Sequence, residues 1–266
     1  MIPDVTVPIA LTVAGSDPSG GAGIQADLKT FHQLGVYGTS AITLITVQNS
    51  VGITRVEPLA ADLIAQQIGA VLADFPPRAV KTGALGGVAA IEIIAAAHLP
   101  CPLVVDPVMI GKHGISLLDE AARGALRDRL LPRAALVTPN LYEASVLAGI
   151  HVDSPESMKE AARRIRDLGA AAVLVKGGHL DGDALDLLLV DGVFEEFVSP
   201  RVVTPHTHGT GCTYSAAITA LLARGESLPH AVRGAKTFIT EAIRGAPGLG
   251  AGCGPVNHWA QTPDTR

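Results

Sequence analysis

Gly209-Thr210-Gly211-Cys212, preceded by His208 and followed at once by the apolar run Tyr214 to Leu222, joins an anion-binding turn to an ionisable side chain. The first N–H groups of a helix have no intrahelical partner, and the helix dipole directs its positive end at them. Glycines admit a phosphate close to that backbone because no Cβ stands in the way. Cys212 lies in the same field, which favours its thiolate. A phosphate cradle beside a proton acceptor is equipment for phosphoryl transfer to an alcohol. The same residues also suit a plain tight turn with a small packing side chain, so the rest of the chain has to decide.

Phosphoryl transfer needs a metal to offset phosphate charge, donors around the moving group and an aligned acceptor. The Walker pattern is absent, and Gly20-Gly21-Ala22-Gly23 is only a loose glycine-rich loop. Asp106 ends a buried apolar run, where a carboxylate is costly unless it is paired or near a cation. Glu143 stands one helical turn after Asn140. Mg²⁺ commonly takes one or two carboxylates, with waters and phosphate oxygens completing its shell. Asp106 and Glu143 can supply those carboxylates, or can simply cap a turn and open a helix. Lys176, before Gly177-Gly178-His179, offers a cation for phosphate or a salt-bridged strand end. His206 and His208 share a face of an extended segment, but no third ligand has recognisable spacing for zinc. Asp17 reads as an N-cap and Asp27 as a surface helix charge. Thr46 and Gln48 share a strand face, and a Gln amide both donates and accepts, which suits a flat heteroaromatic ring.

These residues fall at regular places. Short β-rich runs alternate with helical patterns: strands at 9–14, 39–47, 79–82, 103–106, 135–138 and 172–176, with helices at 22–34, 60–74, 88–98, 119–131, 140–149 and 155–168. Leu187 to Val190, Asp191-Gly192 and Val193 to Val198 read as a hairpin with a type I′ turn. Helices at about 211–224 and 228–244 close the pattern. Repeated β-then-α order predicts a three-layer α/β/α domain with a mostly parallel sheet, spanning 1–266 as a single unit. In such sheets ligands bind beyond the carboxyl ends of the strands. Gly15-Ser16-Asp17, Gln48-Asn49, Lys81-Thr82-Gly83, Asp106-Pro107-Val108, Thr138-Pro139-Asn140 and Lys176-Gly177-Gly178 all stand at those ends.

Composition narrows the partners. With 48% hydrophobic and only 3% aromatic residues, the core is built of Ala, Val, Leu and Ile. A net charge of −5 without a Lys/Arg cluster gives no case for nucleic acid. No long apolar run or charged leader argues for a membrane or export. Three scattered cysteines, Cys101, Cys212 and Cys253, make neither a disulfide framework nor a zinc site and fit a reducing cytoplasm.

Taken together, the string Ala14-Gly15-Ser16-Asp17-Pro18-Ser19-Gly20-Gly21-Ala22-Gly23-Ile24-Gln25-Ala26-Asp27, the strand-end motifs, Thr207-His208-Gly209-Thr210-Gly211-Cys212-Thr213 and Gly254-Pro255-Val256 resemble the hydroxymethylpyrimidine/phosphomethylpyrimidine kinase family of thiamine biosynthesis, within the ribokinase-like superfamily. The resemblance runs nearly end to end. It implies ATP- and Mg²⁺-dependent phosphorylation of 4-amino-5-hydroxymethyl-2-methylpyrimidine, then of its monophosphate, by a homodimer. It further implies Cys212 as catalytic, with Gly209, Thr210 and Gly211 as an anion hole. Gly15, Ala22, Asp27, Gln48 and Val108 are expected to bind the pyrimidine, and Lys176, Gly178 and Thr207 the nucleotide. Lys112 and His113 are expected in a lid, and Asp106 and Glu143 at the metal. Three departures stand out. Ala84 replaces a common Met, His206 replaces a common Asn, and the lid lacks the second Cys of a related pyridoxal kinase subgroup. Pyridoxal or pyridoxine phosphorylation on the same fold is the alternative.

Overall fold

A computed structural model describes residues 7–111, 114–178 and 180–261. Its sheet runs in the order β3-β2-β1-β4-β5-β6-β7-β8-β9. The strands are β1 (Ile9–Ser16), β2 (Tyr37–Gln48), β3 (Ile53–Pro58), β4 (Ala79–Thr82), β5 (Leu103–Val105), β6 (Leu136–Val137), β7 (Val173–Lys176), β8 (Ala184–Val190) and β9 (Val193–Ser199). From β2 through β7 the neighbours are parallel; β3, β8 and β9 join antiparallel at the two edges. The helices are α1 (Gly23–Gln33), α2 (Ala61–Asp74), α3 (Val88–Ala96), α4 (Glu120–Ala125), α5 (Leu141–Ala148), α6 (Pro155–Asp167), α7 (Thr210–Ala223) and α8 (Leu228–Arg244).

Period-two alternation sorts each strand between two cores. Leu11, Val13, Val80, Leu103, Val105, Val137, Val173 and Val175 meet residues of α2 to α6 on one face. Ala10, Ala79, Val104, Leu136 and Leu174 meet α1, α7 and α8 on the other. Residues Thr213 to Leu221 of α7 are all buried. A helix enclosed on every side holds its N-terminus in a fixed place, and that N-terminus is the Gly209–Cys212 turn.

Differences from the expected elements have local causes. β3 has no buried residue and ends on Pro58, so it lacks an alternation signal; it is an edge strand, where Pro is tolerated. The expected helix 119–131 is α for only six residues, then becomes a π-helical turn at Leu126–Leu130 and a 3₁₀ turn at Leu131–Arg133. Pro132 has no N–H to continue the α pattern. The hairpin is as expected: Asp191 and Gly192 both have positive φ, at 50° and 79°.

Candidate active site

A cavity of about 680 Å³ opens along the carboxyl ends of the parallel strands. Its lining includes Gly15, Ala22, Gln48, Asp106, Val108, Glu143, Lys176, Gly178, Thr207, Gly209, Thr210, Gly211 and Cys212. Connections leave β1 in opposite directions, to β2 on one side and eventually β4 on the other, so the crevice forms at the switch point of the sheet. Lys112, His113 and His179 lie outside the described residues.

Gly209 is the N-cap of α7 with φ 79°, and a Cβ there would run into the Gly21 carbonyl. Glycine therefore lets the transfer turn rest against the 20–23 loop. Cys212 is in the first turn, with the Gly23 amide directed at its sulfur. The expectation that the helix N-terminus favours its thiolate does not hold. Burial pushes the thiol up to about 11, and Asp27 and Asp106 add to that, against the opposing pull of Lys81 and Gly23. Desolvation outweighs the dipole here.

Asp106 lies just past β5 and is buried. Lys176 Nζ is 3.0 Å from its Oδ1, Thr138 Oγ1 donates to that oxygen at 3.2 Å, and Ser215 Oγ donates to Oδ2 at 3.1 Å. Burial pushes its carboxyl up, but Lys176 and Lys81 outweigh this and hold it below its ordinary value. A Cβ on Gly211 would sit 3.3 Å from Lys176 Nζ and 3.9 Å from Asp106 Oδ2. The cation and carboxylate thus stand directly over the first turn of α7. Glu143 shares a capping box with Asn140: its carboxylate accepts from the Asn140 amide at 2.9 Å while Asn140 accepts from the Glu143 amide at 2.9 Å. Burial pushes the Glu143 carboxyl up to about 7, with Asp106 reinforcing the shift against Lys176. Among the described residues no cluster of three His, Cys, Asp or Glu forms a metal cage. Two carboxylates facing an open cavity suit Mg²⁺, which keeps waters and takes phosphate oxygens for the rest of its shell.

On the β1–β2 side, Asp17 and Asp27 correct the sequence reading. Asp17 does not cap α1, whose N-cap is Ala22. Its carboxylate instead collects the Ser19, Gly21 and Ala22 amides and His208. Asp27 is neither a surface charge nor part of the cavity wall. It is fully buried, 2.7 Å from Lys81 Nζ, and accepts from Thr12 Oγ1 at 2.6 Å. Thr12 and Lys81 face each other in the β1–β4 register, and together they hold Asp27 behind the cavity lining. Leu44, Thr46 and Gln48 line the cavity, as their shared strand face requires.

The opposite wing holds residues the sequence did not single out. Asp186 accepts from the Gly177 amide at 3.0 Å and from Lys236 Nζ at 2.6 Å. Arg201 donates to the carbonyls of Gly178, Leu180 and Gly182, pinning the loop after Lys176. All three residues line the cavity. Their partners are far apart in sequence, so no periodic signal marks them. His206 accepts from the Gly254 amide at 3.2 Å.

A mostly parallel sheet between two helical layers, with an anion turn opening a buried helix at the strand ends, is the ribokinase-like arrangement of small-molecule phosphotransferases. The sequence model of phosphomethylpyrimidine kinase matches residues 17–257, and the chain belongs to that family. The thiamine biosynthesis bifunctional protein ThiED of Geobacter sulfurreducens is 49% identical over 260 residues, covering 96% of this chain but 53% of that protein; the chain spans about half the length of that relative. The hydroxymethylpyrimidine/phosphomethylpyrimidine kinase of Synechococcus elongatus is 46% identical over 259 residues, covering 96% of this chain and 98% of the other. Among solved structures, the ADP complex of Bacillus subtilis pyridoxal kinase has a TM-score of 0.90 at 42% identity, covering 96% of this chain and 98% of that one.

Proposed function

We propose that this protein uses ATP to phosphorylate 4-amino-5-hydroxymethyl-2-methylpyrimidine, and then its monophosphate to the pyrophosphate, in the cytoplasmic synthesis of thiamine. One observation carries the reading: Gln48, the Cys212 turn and the Asp106–Lys176 pair open on the same cavity. Gln48 engages the aminopyrimidine while Gly15, Ala22 and Val108 pack around it. Cys212 accepts the hydroxymethyl proton, and the Gly209–Cys212 amides receive the transferred phosphoryl group. Lys176, Gly178 and Thr207 serve the nucleotide. Mg²⁺, held through Asp106 and Glu143, supplies positive charge that offsets the phosphates. The chain acts as one domain and as a homodimer. Ile45 and Val47 support the second point, being exposed on the β2 face that points away from the cavity. Among the described residues no helix is long and apolar enough to cross a membrane.

Pyridoxal phosphorylation is the second reading, favoured by the likeness to the Bacillus subtilis pyridoxal kinase structure. A coupled assay of ADP formation with each alcohol separates the two. Turnover of pyridoxal and none of the aminopyrimidine would overturn the proposal. In the same assay, Gln48→Ala is expected to weaken the aminopyrimidine by about 1–3 kcal/mol, the usual cost of a polar edge left unpaired, with ATP affinity unchanged. Parallel loss for both ligands would make Gln48 structural. Asp106→Asn is expected to raise the half-saturating Mg²⁺ concentration by about tenfold or more, since even residues behind a metal ligand cost about 10- to 100-fold. An unchanged magnesium titration would remove Asp106 from the metal shell.

A further inference from the structure

His208 is buried and touches three parts of the pyrimidine wing. Its N–H donates to the Gly254 carbonyl at 3.0 Å and its carbonyl accepts from the Val256 amide at 3.2 Å. Its ring packs on Gly21, where a Cβ would overlap Cδ2. Its Nε2 lies 2.9 Å from Asp17 Oδ2 and 3.1 Å from Gln48 Nε2.

A single ring nitrogen cannot donate to one neighbour and accept from the other. Asp17 decides the matter. Its carboxylate also accepts from the Ser19, Gly21 and Ala22 amides and the Ser19 hydroxyl. A group surrounded by that many donors is ionised and purely an acceptor. His208 Nε2 therefore carries the hydrogen. An N–H does not face an NH₂ at 3.1 Å, whereas the two ends of a Gln amide exchange by a flip that only the hydrogen-bond network assigns. With Oε1 turned to His208, that oxygen shares the Nε2–H with Asp17, and both Gln48 amide hydrogens are released to the cavity.

We propose that Asp17 and His208 are positioning residues that lock the Gln48 amide with its NH₂ toward the cavity, so that the pocket selects a heteroaromatic ring presenting an acceptor nitrogen at that point. The inference rests on the pyrimidine kinase reading for its substrate, though not for its geometry. A ring with C–H in place of that nitrogen leaves the amide unpaired and binds roughly 10- to 100-fold more weakly.

The full chain labelled with ¹⁵N-histidine tests the lock without any substrate. Long-range ¹H–¹⁵N spectra, with the His208 signals assigned by their loss in His208→Phe, are expected to show hydrogen on Nε2. An Nε2 without hydrogen overturns the proposal whatever the enzyme phosphorylates. In kinetics, His208→Phe is expected to raise KM for the aminopyrimidine alcohol roughly 10- to 100-fold, with kcat and KM for ATP within about twofold. His208→Gln, which keeps an N–H donor, recovers part of the loss. An unchanged aminopyrimidine KM, or equal rises in both KM values, rejects the positioning role. Failure of the unaltered protein to phosphorylate the aminopyrimidine would instead reject the substrate reading, and the tautomer result would still judge the lock.

Discussion

Replacing Cys212 with alanine is expected to slow phosphorylation of the alcohol by about 10²- to 10⁴-fold, the usual contribution of a positioned base, and phosphorylation of the monoester clearly less. An alcohol must lose its proton to become a nucleophile, whereas a phosphate monoester is already anionic near neutral pH. The state of the thiol sharpens this. Burial raises it to about 11, so at neutral pH the protonated thiol dominates. Below that value, each unit of pH raises the thiolate fraction tenfold. The alcohol step of the unaltered enzyme should therefore accelerate as pH rises from 7 to 9. The monoester step should stay nearly flat there, because its acceptor is fully ionised above a second pKa of about 6. Measuring kcat/KM against pH for both acceptors, with and without Cys212, checks the claim. Equal losses in the two steps, with parallel pH profiles, would mean that the side chain only shapes the anion turn.

The site was readable where a strand stops. Asp106, Asn140 and Lys176 each follow an apolar run, and a polar residue at such a point marks the carboxyl end of a buried parallel strand. The turn at Gly209–Cys212 was readable for a similar local reason, since two glycines precede a long apolar helix. What escaped the sequence depends on partners set by tertiary register. Asp27 looks like a solvated helix charge until β1 and β4 pair and bring Thr12 and Lys81 beneath it. Asp17 looks like a cap until His208, 191 positions later, reaches its carboxylate. Cys212 illustrates a competition of magnitudes: the dipole at a helix start is visible in sequence, but the burial that overrides it is not.

Breaking the Asp27–Lys81 pair should produce a large loss of stability. Both side chains are fully enclosed, and the ammonium is 2.7 Å from the carboxylate. Burial pushes the Lys81 ammonium down, but the Asp27 carboxylate outweighs it and favours the cation, whereas at Asp27 burial outweighs Lys81 and Thr12 and pushes the carboxyl up. Asp27→Ala strands the buried Lys81 ammonium and should cost about 3–5 kcal/mol, whereas Lys81→Met leaves a buried Asp27 carboxyl that takes up a proton and should cost less. The double variant should recover most of that, because replacing a whole buried pair with apolar groups is often close to neutral. Urea unfolding of the two singles and the double closes the cycle; a double variant no more stable than the singles would deny the coupling. The same cycle separates stability from catalysis. Lys81 Nζ lies 3.7 Å from where a Cβ would stand on Gly83, a residue of the cavity wall, and its charge opposes the upward shift of the Cys212 thiol. Asp27 pushes that thiol the other way, but less strongly. The double variant should therefore fold and yet phosphorylate the alcohol more slowly than the unaltered protein at the same pH, with the monoester step changed less, as the proposed base role of Cys212 in the first step requires.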